Sequence, residues 1–204
     1  MRRCLMVLLL FVWGAMAHAA DVPRKVLVLG DSLSAAHNIP VDAGWVRLLN
    51  VRTTKMATPW TMVNASISGE TSLSGRHRLP ALLKKEKPGV VVIELGANDG
   101  LQGLPLKALA DNLDSMIEAS KDAGAKVLLL GIELPVNYGP QYRDGLRAVY
   151  ADAAKKYDVP LVPFLLEGVA LDPTLMQDDG LHPTARGEPK VAENVWKTLA
   201  PLLM

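Results

Sequence analysis

A serine that directly follows an apolar run is the best-placed nucleophile of this sequence. Residues 30–33 read Gly-Asp-Ser-Leu and follow the apolar run 26–29, which is typical of a buried strand. Such a strand would hold Ser32 on a rigid base with its hydroxyl exposed. Near the C-terminus, Asp179 stands three residues before His182. A hydroxyl nucleophile needs a base and a group that orients the base, so these three residues form a candidate catalytic triad.

Two further residues suit the stabilisation of an oxyanion. If Ser32 attacks an acyl carbonyl and His182 moves the proton, the intermediate carries a negative oxygen that needs preorganised hydrogen-bond donors. Gly69 would let a substrate approach a backbone N–H closely, and Asn98 offers a side-chain amide donor that is not titrated. The backbone N–H of Ser32 is the third candidate. The sequence therefore predicts an oxyanion hole formed by Ser32, Gly69 and Asn98.

Other residues compete for the roles of base and orienting carboxylate. His37 lies five residues after Ser32, but Asp42 is the carboxylate nearest to it along the chain, so His182 is the preferred base. Asp178 is the alternative partner for His182. Each segment on its own is also typical of an ordinary turn, because Gly, Asn and Asp suit turns. The prediction of catalysis depends on all the segments occurring together and in this order.

Three more polar residues are not expected to take part in catalysis. Glu94 ends an apolar run and is predicted to be a buried carboxylate that accepts hydrogen bonds from loop amides. Asp31 is predicted to bond to the backbone and hold the turn that contains Ser32. His77 lies between two arginines in a helical segment and is predicted to be exposed.

Short apolar runs alternate with helical patterns along the rest of the chain. Five of these runs are continuous, which is typical of parallel strands covered on both faces. They span residues 25–29, 61–64, 90–95, 126–130 and 160–163. This order of strands and helices predicts an α/β fold with a doubly wound parallel sheet and helices on both of its faces.

Apolar stripes at helical spacing predict the helices between these strands. The pattern at 72–85 contains Pro80, which is expected to begin or kink the helix. The other patterns pass through residues 106–117, 142–153 and 191–199. Thr184 is the predicted N-cap of the last helix.

The candidate site residues follow the predicted strands, which is where sites gather in such sheets. Segments 30–32, 64–70 and 96–99 each follow one of the first three strands. Because the carboxyl ends of parallel strands share one edge of the sheet, these segments are expected to meet there. A loop before the last helix can bring Asp179 and His182 to the same edge.

Four blocks in this order resemble those of the SGNH hydrolases, also called the GDSL esterase/lipase family. The blocks are Gly-Asp-Ser-Leu at 30–33, Gly69, Gly-Ala-Asn-Asp at 96–99 and Asp-Gly-Leu-His at 179–182. The resemblance runs from about Val26 to the C-terminus. Longer stretches around the last three blocks are most similar to one branch, the multifunctional periplasmic thioesterase, lysophospholipase and arylesterase of Gram-negative bacteria.

This resemblance implies a three-layer, flavodoxin-like SGNH hydrolase fold with a five-stranded parallel sheet, and no metal or other cofactor. It implies Ser32 as nucleophile, His182 as base and Asp179 as the partner of the base. It also implies that Ser32, Gly69 and Asn98 form the oxyanion hole.

Apolar residues in the loops around Ser32 predict a groove for an acyl chain. The candidates for contact with substrate are Leu33, Leu101, Leu104, Pro105, Tyr138 and Leu181. Such a groove suits medium or long acyl esters and thioesters, which predicts a serine esterase of lysophospholipase, arylesterase or thioesterase type. In the alternative, these leucines only pack the edge of the sheet. Residues 36–39 read Ala-His-Asn-Ile where the family often has Gly-Tyr or Ala-Gly, which leaves this wall of the groove undefined.

Two other functions fit the same scaffold. One is a carbohydrate O-acetylesterase, and the other is a flavodoxin-like binding protein that uses this edge as an inert pocket. A standard α/β-hydrolase is disfavoured because the sequence lacks Gly-x-Ser-x-Gly. Nucleotide cofactors are disfavoured because it lacks a P-loop and Gly-x-Gly-x-x-Gly.

The first 19 residues are predicted to be a secretory signal peptide. Arg2 and Arg3 precede an apolar stretch, and residues 17–19 read Ala-His-Ala, which fits cleavage after residue 19. A membrane anchor is the alternative, but the apolar stretch is short for a span. The hydrolase domain would then be residues 20–204, in the periplasm or the medium. Cys4 is the only cysteine, so the mature chain would form no internal disulfide.

Charge and length limit the expected partners. Of 204 residues, 185 remain after cleavage, with 20 basic and 21 acidic side chains, which suffices for one domain with a substantial core. The sequence shows no basic stripe, which disfavours nucleic acid, and no later apolar run long enough for membrane insertion. The expected partner is a small acyl ester or a lysophospholipid, bound by a monomer.

Overall fold

Five parallel strands form the centre of the molecule. The computed structural model describes residues 24–204, so the predicted signal peptide and Cys4 lie outside the described residues. The strands are β1 (Lys25–Gly30), β2 (Thr61–Asn64), β3 (Val90–Glu94), β4 (Lys126–Leu130) and β5 (Leu161–Val162). They form one sheet in the order β2-β1-β3-β4-β5, which is the flavodoxin-like order. The predicted doubly wound α/β fold is confirmed.

Helices cover both faces of this sheet. They are α1 (Trp45–Thr53), α2 (Ser72–Glu86), α3 (Ala97–Leu101), α4 (Leu106–Asp122), α5 (Pro140–Tyr157) and α6 (Glu188–Leu199). Helices α2, α4 and α5 pack side by side in one layer, and α1 packs against α6 in the other. Within residues 24–204, no helix combines the length and the apolar character needed to cross a membrane.

The central strands are apolar along their whole length because both of their faces are covered. The side chains of 26–29 in β1 are completely buried, as are those of 90–92 in β3. This explains why the strands appear in the sequence as continuous apolar runs and not as alternating ones.

Helix α2 begins where the pattern at 72–85 predicted, and the start of α6 differs from the prediction. Helix α2 begins at Ser72 and contains Pro80 in its interior, because the Thr71 hydroxyl accepts a hydrogen bond from the Ser74 N–H and caps the helix there. Helix α6 begins at Glu188, so Thr184 is not its N-cap. The Thr184 hydroxyl instead donates to a carbonyl oxygen within the preceding loop.

The register of β1 and β3 requires a glycine directly before the candidate nucleophile. Gly30 pairs with Glu94, and a Cβ at Gly30 would lie 2.7 Å from Glu94 Oε2 and 2.8 Å from Ser34 Oγ. A larger residue would therefore displace the carboxyl end of β1, where the loop that carries Ser32 begins.

Candidate active site

The three candidate triad residues form a hydrogen-bonded series at the carboxyl edge of the sheet. His182 Nε2 lies 2.8 Å from Ser32 Oγ, and His182 Nδ1 lies 2.7 Å from Asp179 Oδ2. An ionised carboxylate only accepts hydrogen bonds, so Asp179 places the proton on Nδ1. This tautomer leaves Nε2 free to accept from the Ser32 hydroxyl.

Asp179 is held in its ionised form by the turn that it occupies. Its Oδ1 accepts the backbone N–H groups of Leu181 and His182 at 2.8 and 3.0 Å. Partial burial favours a higher pKa, but these hydrogen bonds and the one from the His182 ring outweigh it and lower the pKa of Asp179 to about 2. Asp178, the alternative partner, is exposed.

Gln177 fixes the position of the loop that carries His182. Its backbone N–H donates to the His182 carbonyl at 2.8 Å, and its Nε2 donates to the Pro183 carbonyl at 2.8 Å. The same Nε2 donates to the His37 carbonyl at 2.9 Å, which ties the His182 loop to the loop after Ser32.

Two buried carboxyl groups hold the turn that presents Ser32. Asp31 Oδ1 accepts from the Leu33 N–H at 3.0 Å. Glu94 Oε2 accepts from the Asp31 N–H at 3.2 Å and from the Ser34 hydroxyl at 2.7 Å. Both residues thus have the structural contacts that the sequence predicted for them.

Burial opposes the ionisation of both carboxyl groups. Burial raises the pKa of Asp31 to about 6. Burial, together with the nearby charge of Asp31, raises the pKa of Glu94 well above its ordinary value. Each negative charge disfavours the other, so the pair resists carrying two buried negative charges in contact.

Asn98 presents its amide close to this turn. Its Nδ2 donates to Asp31 Oδ2 and to the Glu70 carbonyl, both at 3.0 Å. The Asp31 carboxylate only accepts, so it determines which end of the amide faces the site. Both amide hydrogens are engaged, and the amide must share or exchange one of these partners before it can donate to a substrate oxygen.

Gly69 lies in the loop after β2 with φ of +81°, a conformation that favours glycine. Arg78 of α2 holds this loop. Its Nε lies 2.6 Å from Glu70 Oε1, and its second nitrogen donates to the Ala65 carbonyl at 2.7 Å. The side chain of Glu70 is almost fully buried and that of Arg78 is about one-third exposed, so water is excluded mainly from the carboxylate.

A cavity of about 290 Å³ opens beside Ser32. The predicted residues that line it are Ser32, Leu33, Gly69, Asn98, Leu101, Leu181 and His182. The structure therefore brings together every predicted triad and oxyanion residue and half of the predicted substrate contacts. His37 also lines the cavity, whereas His77 is exposed, as predicted.

The other three predicted substrate contacts do not line this cavity. The Tyr138 hydroxyl donates to the Leu101 carbonyl at 3.0 Å, so Tyr138 supports a lining residue from behind. The Leu104 carbonyl accepts from the Tyr142 hydroxyl at 2.8 Å. Pro105 is the N-cap residue of α4.

The apolar wall formed by the loops after β4 and β5 was not predicted from the sequence. The residues of this wall are Ile132, Leu134, Pro135, Phe164 and Leu166. They come within a few residues of the carboxyl ends of these strands, so the rule that located Ser32 would also have found them. The prediction instead placed the contact further along, at Tyr138.

No metal centre is formed in the described part of the chain. Residues 24–204 bring together no group of three His, Cys, Asp or Glu side chains that could hold a metal ion.

Comparison with known proteins gives a consistent result. The model of the GDSL-like Lipase/Acylhydrolase family matches residues 28–188. Esterase TesA of Pseudomonas aeruginosa is 51% identical over 180 residues, which cover 88% of this chain and 90% of the relative. Thioesterase 1/protease 1/lysophospholipase L1 of Escherichia coli K12 is 46% identical over 187 residues, covering 92% of this chain and 87% of the relative.

A solved structure supports the same assignment. The psychrotrophic esterase EstA from Pseudoalteromonas sp., in a structure inhibited by monoethylphosphonate, matches with a TM-score of 0.84 and 37% identity. The match covers 88% of this chain and 98% of the other. The family blocks, the sheet order and these similarities agree, and the chain belongs to the GDSL-like lipase/acylhydrolase family.

Proposed function

We propose that this chain, a serine ester hydrolase of its family, forms an acyl-enzyme on Ser32. The observation that carries the proposal is the series of two hydrogen bonds that joins Ser32 to His182 and His182 to Asp179. A serine in this arrangement is activated by the adjacent base, and the base is oriented by the carboxylate.

In the first half of the reaction, Ser32 Oγ attacks the acyl carbonyl and its proton passes to His182 Nε2. The C–O or C–S bond of the substrate then breaks, and the imidazolium returns this proton to the leaving group. In the second half, water attacks the acyl-enzyme with His182 again as base, which releases the acid and restores Ser32. Asp179 stabilises the imidazolium in both halves.

The oxyanion would be bound by the backbone N–H groups of Ser32 and Gly69 and by Asn98 Nδ2. We infer that Asn98 exchanges its hydrogen bond to the neutral Glu70 carbonyl for one to the oxyanion. It would keep the bond to Asp31, because a bond to an ionised acceptor is the stronger of the two. The exchange favours the charged intermediate over the neutral substrate, which is what lowers the barrier.

The apolar wall of the cavity supports a preference for medium or long acyl chains. Most of the lining side chains are apolar, and about 290 Å³ is far more room than an acetyl group needs. Candidate substrates are carboxylic esters, thioesters and lysophospholipids; the name of the Escherichia coli relative includes thioesterase and lysophospholipase activities.

Hydrolysis of p-nitrophenyl esters from acetyl to palmitoyl tests both parts of the proposal. We expect the wild type to cleave the longer esters best and Ser32→Ala to lose nearly all activity. Ser115→Ala, which removes a half-buried hydroxyl on α4 that donates to the Asp111 carbonyl, is the control and should retain activity. Cleavage of the acetyl ester alone would favour an O-acetylesterase, and an active Ser32→Ala would refute the nucleophile.

We also propose that the chain is exported, with cleavage after Ala19, and that residues 20–204 act as a monomer in the periplasm or the medium. The basic start, the apolar stretch and the Ala-His-Ala sequence support this proposal. Intact-mass measurement of protein from the periplasmic and extracellular fractions should show a chain that begins at Ala20. Only uncleaved chain in the membrane fraction would refute it, and sedimentation would report the oligomeric state.

A further inference from the structure

A second imidazole lies against the candidate base. The ring centroids of His37 and His182 are 4.4 Å apart, with the ring planes inclined by 40°. His37 lines the same cavity as Ser32 and His182. In residues 24–204, its ring has no hydrogen-bond partner, whereas both ring nitrogens of His182 are engaged. His37 therefore has ring nitrogens that remain available to a ligand.

The backbone around His37 is held in an unusual shape. Ala36 and Asn38, the residues on either side, have φ of 58° and 55°, which is uncommon for residues other than glycine. Gly44 accommodates this turn, since a Cβ there would lie 2.8 Å from the Cβ of Ala36. Gln177 holds the His37 carbonyl. Strained turns of this kind persist where the surrounding structure fixes them, often beside functional sites.

Among the described residues that line the cavity, His37 is also the one unengaged side chain of a type that can carry a positive charge. In the described part of the chain, neither Lys nor Arg lines the cavity. Its acidic lining residue, Glu133, is paired with Arg143 and Arg147. Outside the oxyanion hole, His37 is therefore the lining side chain best suited to bind an anionic group of a substrate.

The chemistry of the reaction determines which part of a substrate lies near His37. His182 Nε2 must protonate the leaving oxygen, so the leaving group passes beside the ring of His182. The apolar wall accommodates the acyl chain. A polar substituent next to the ring of His182 thus belongs to the leaving group and not to the acyl chain.

We propose that His37 is a specificity residue that binds the phosphate of a phosphate-bearing alcohol leaving group, such as the headgroup of a lysophospholipid. This inference rests on the proposed function and specifies its substrate class. An imidazole donates hydrogen bonds to a phosphate oxygen from either nitrogen, and the bond strengthens when the ring is protonated.

Two substrates with one acyl chain test this inference: 1-octanoylglycerol 3-phosphate and 1-octanoylglycerol. The measured quantity is the ratio of their kcat/KM values. In His37→Phe, which keeps a ring without donors, we expect this ratio to fall about tenfold, mainly through KM of the phosphate substrate. His37→Gln keeps a donor and should lose less. His77→Phe, at an exposed histidine on α2, should keep the wild-type ratio.

The outcomes separate this inference from the proposed function. An equal loss on both substrates in His37→Phe would mean that His37 only supports His182, and the inference would be wrong. The inference would also be wrong if the wild type cleaved 1-octanoylglycerol but not its 3-phosphate. If the wild type cleaves neither substrate nor any p-nitrophenyl ester, the proposed function itself fails.

Discussion

At the scale of single residues, the site depends on which atoms can donate a hydrogen bond and which can only accept one. Asp179 and Asp31 are both acceptors, and each fixes the orientation of a neighbour: the ring of His182 in one case and the amide of Asn98 in the other. The residue types and their order predicted these four positions. The contact between Asp31 and Asn98 was not predictable, because it depends on the register that places β1 beside β3.

Asn98→Ala should lower kcat by about 100-fold or more and change KM little, since its hydrogen bond to the oxyanion exists only in the transition state. Steady-state kinetics with p-nitrophenyl octanoate measures the two constants separately. Asn112→Ala, which removes a buried amide on α4 outside the cavity, is the comparison for a purely structural loss. A change confined to KM would contradict the role of Asn98.

At the scale of elements, the sheet was predictable and the details of the loops were not. Buried parallel strands have a direct signature in their continuous apolar runs, so their positions were predicted closely. Caps and loop contacts depend on partners far along the chain, which is why Thr184 was assigned wrongly. The wall after β4 was misplaced because the predicted contact was Tyr138 and not the residues that directly follow the strand.

Arg78→Met should destabilise the fold and slow catalysis, because it leaves the buried Glu70 unpaired and releases the loop that carries Gly69. Arg78 is about one-third exposed, so we expect a loss of about 2 kcal/mol, or roughly 4–8 °C in Tm. Calorimetry and kcat report the two effects. Arg76→Met, two residues earlier on the same helix, should cost less stability, and equal losses of stability and kcat in both variants would contradict this role of Arg78.

At the scale of the whole molecule, one layer of helices is linked by a buried carboxyl group. Glu188 at the start of α6 accepts the backbone N–H of Trp45 at the start of α1 at 2.7 Å. Burial raises the pKa of Glu188 from an ordinary value of 4.5 to about 7, although this hydrogen bond opposes the rise. The sequence could not reveal this contact, since the two residues lie far apart along the chain.

The contribution of Glu188 to the free energy of unfolding should therefore fall as the pH rises. Between about pH 4.5 and 7 the folded chain keeps a proton on Glu188 that the unfolded chain has lost. Raising the pH through this range therefore favours unfolding. From pH 5 to 8, the wild type should lose roughly 2 kcal/mol more unfolding free energy than Glu188→Gln. Urea denaturation at pH 5 and at pH 8 measures this difference in unfolding free energy. Glu167→Gln, at an exposed position, is the control, and equal losses in the wild type and Glu188→Gln would refute the assignment.

Covalent labelling would identify the nucleophile. The purified chain would be treated with an alkyl fluorophosphonate, and the adduct located by intact mass and peptide mapping. We expect one adduct, on the peptide that contains Ser32, with none in Ser32→Ala and much slower labelling in His182→Ala. An adduct on another residue, or equal labelling of Ser32→Ala, would contradict it.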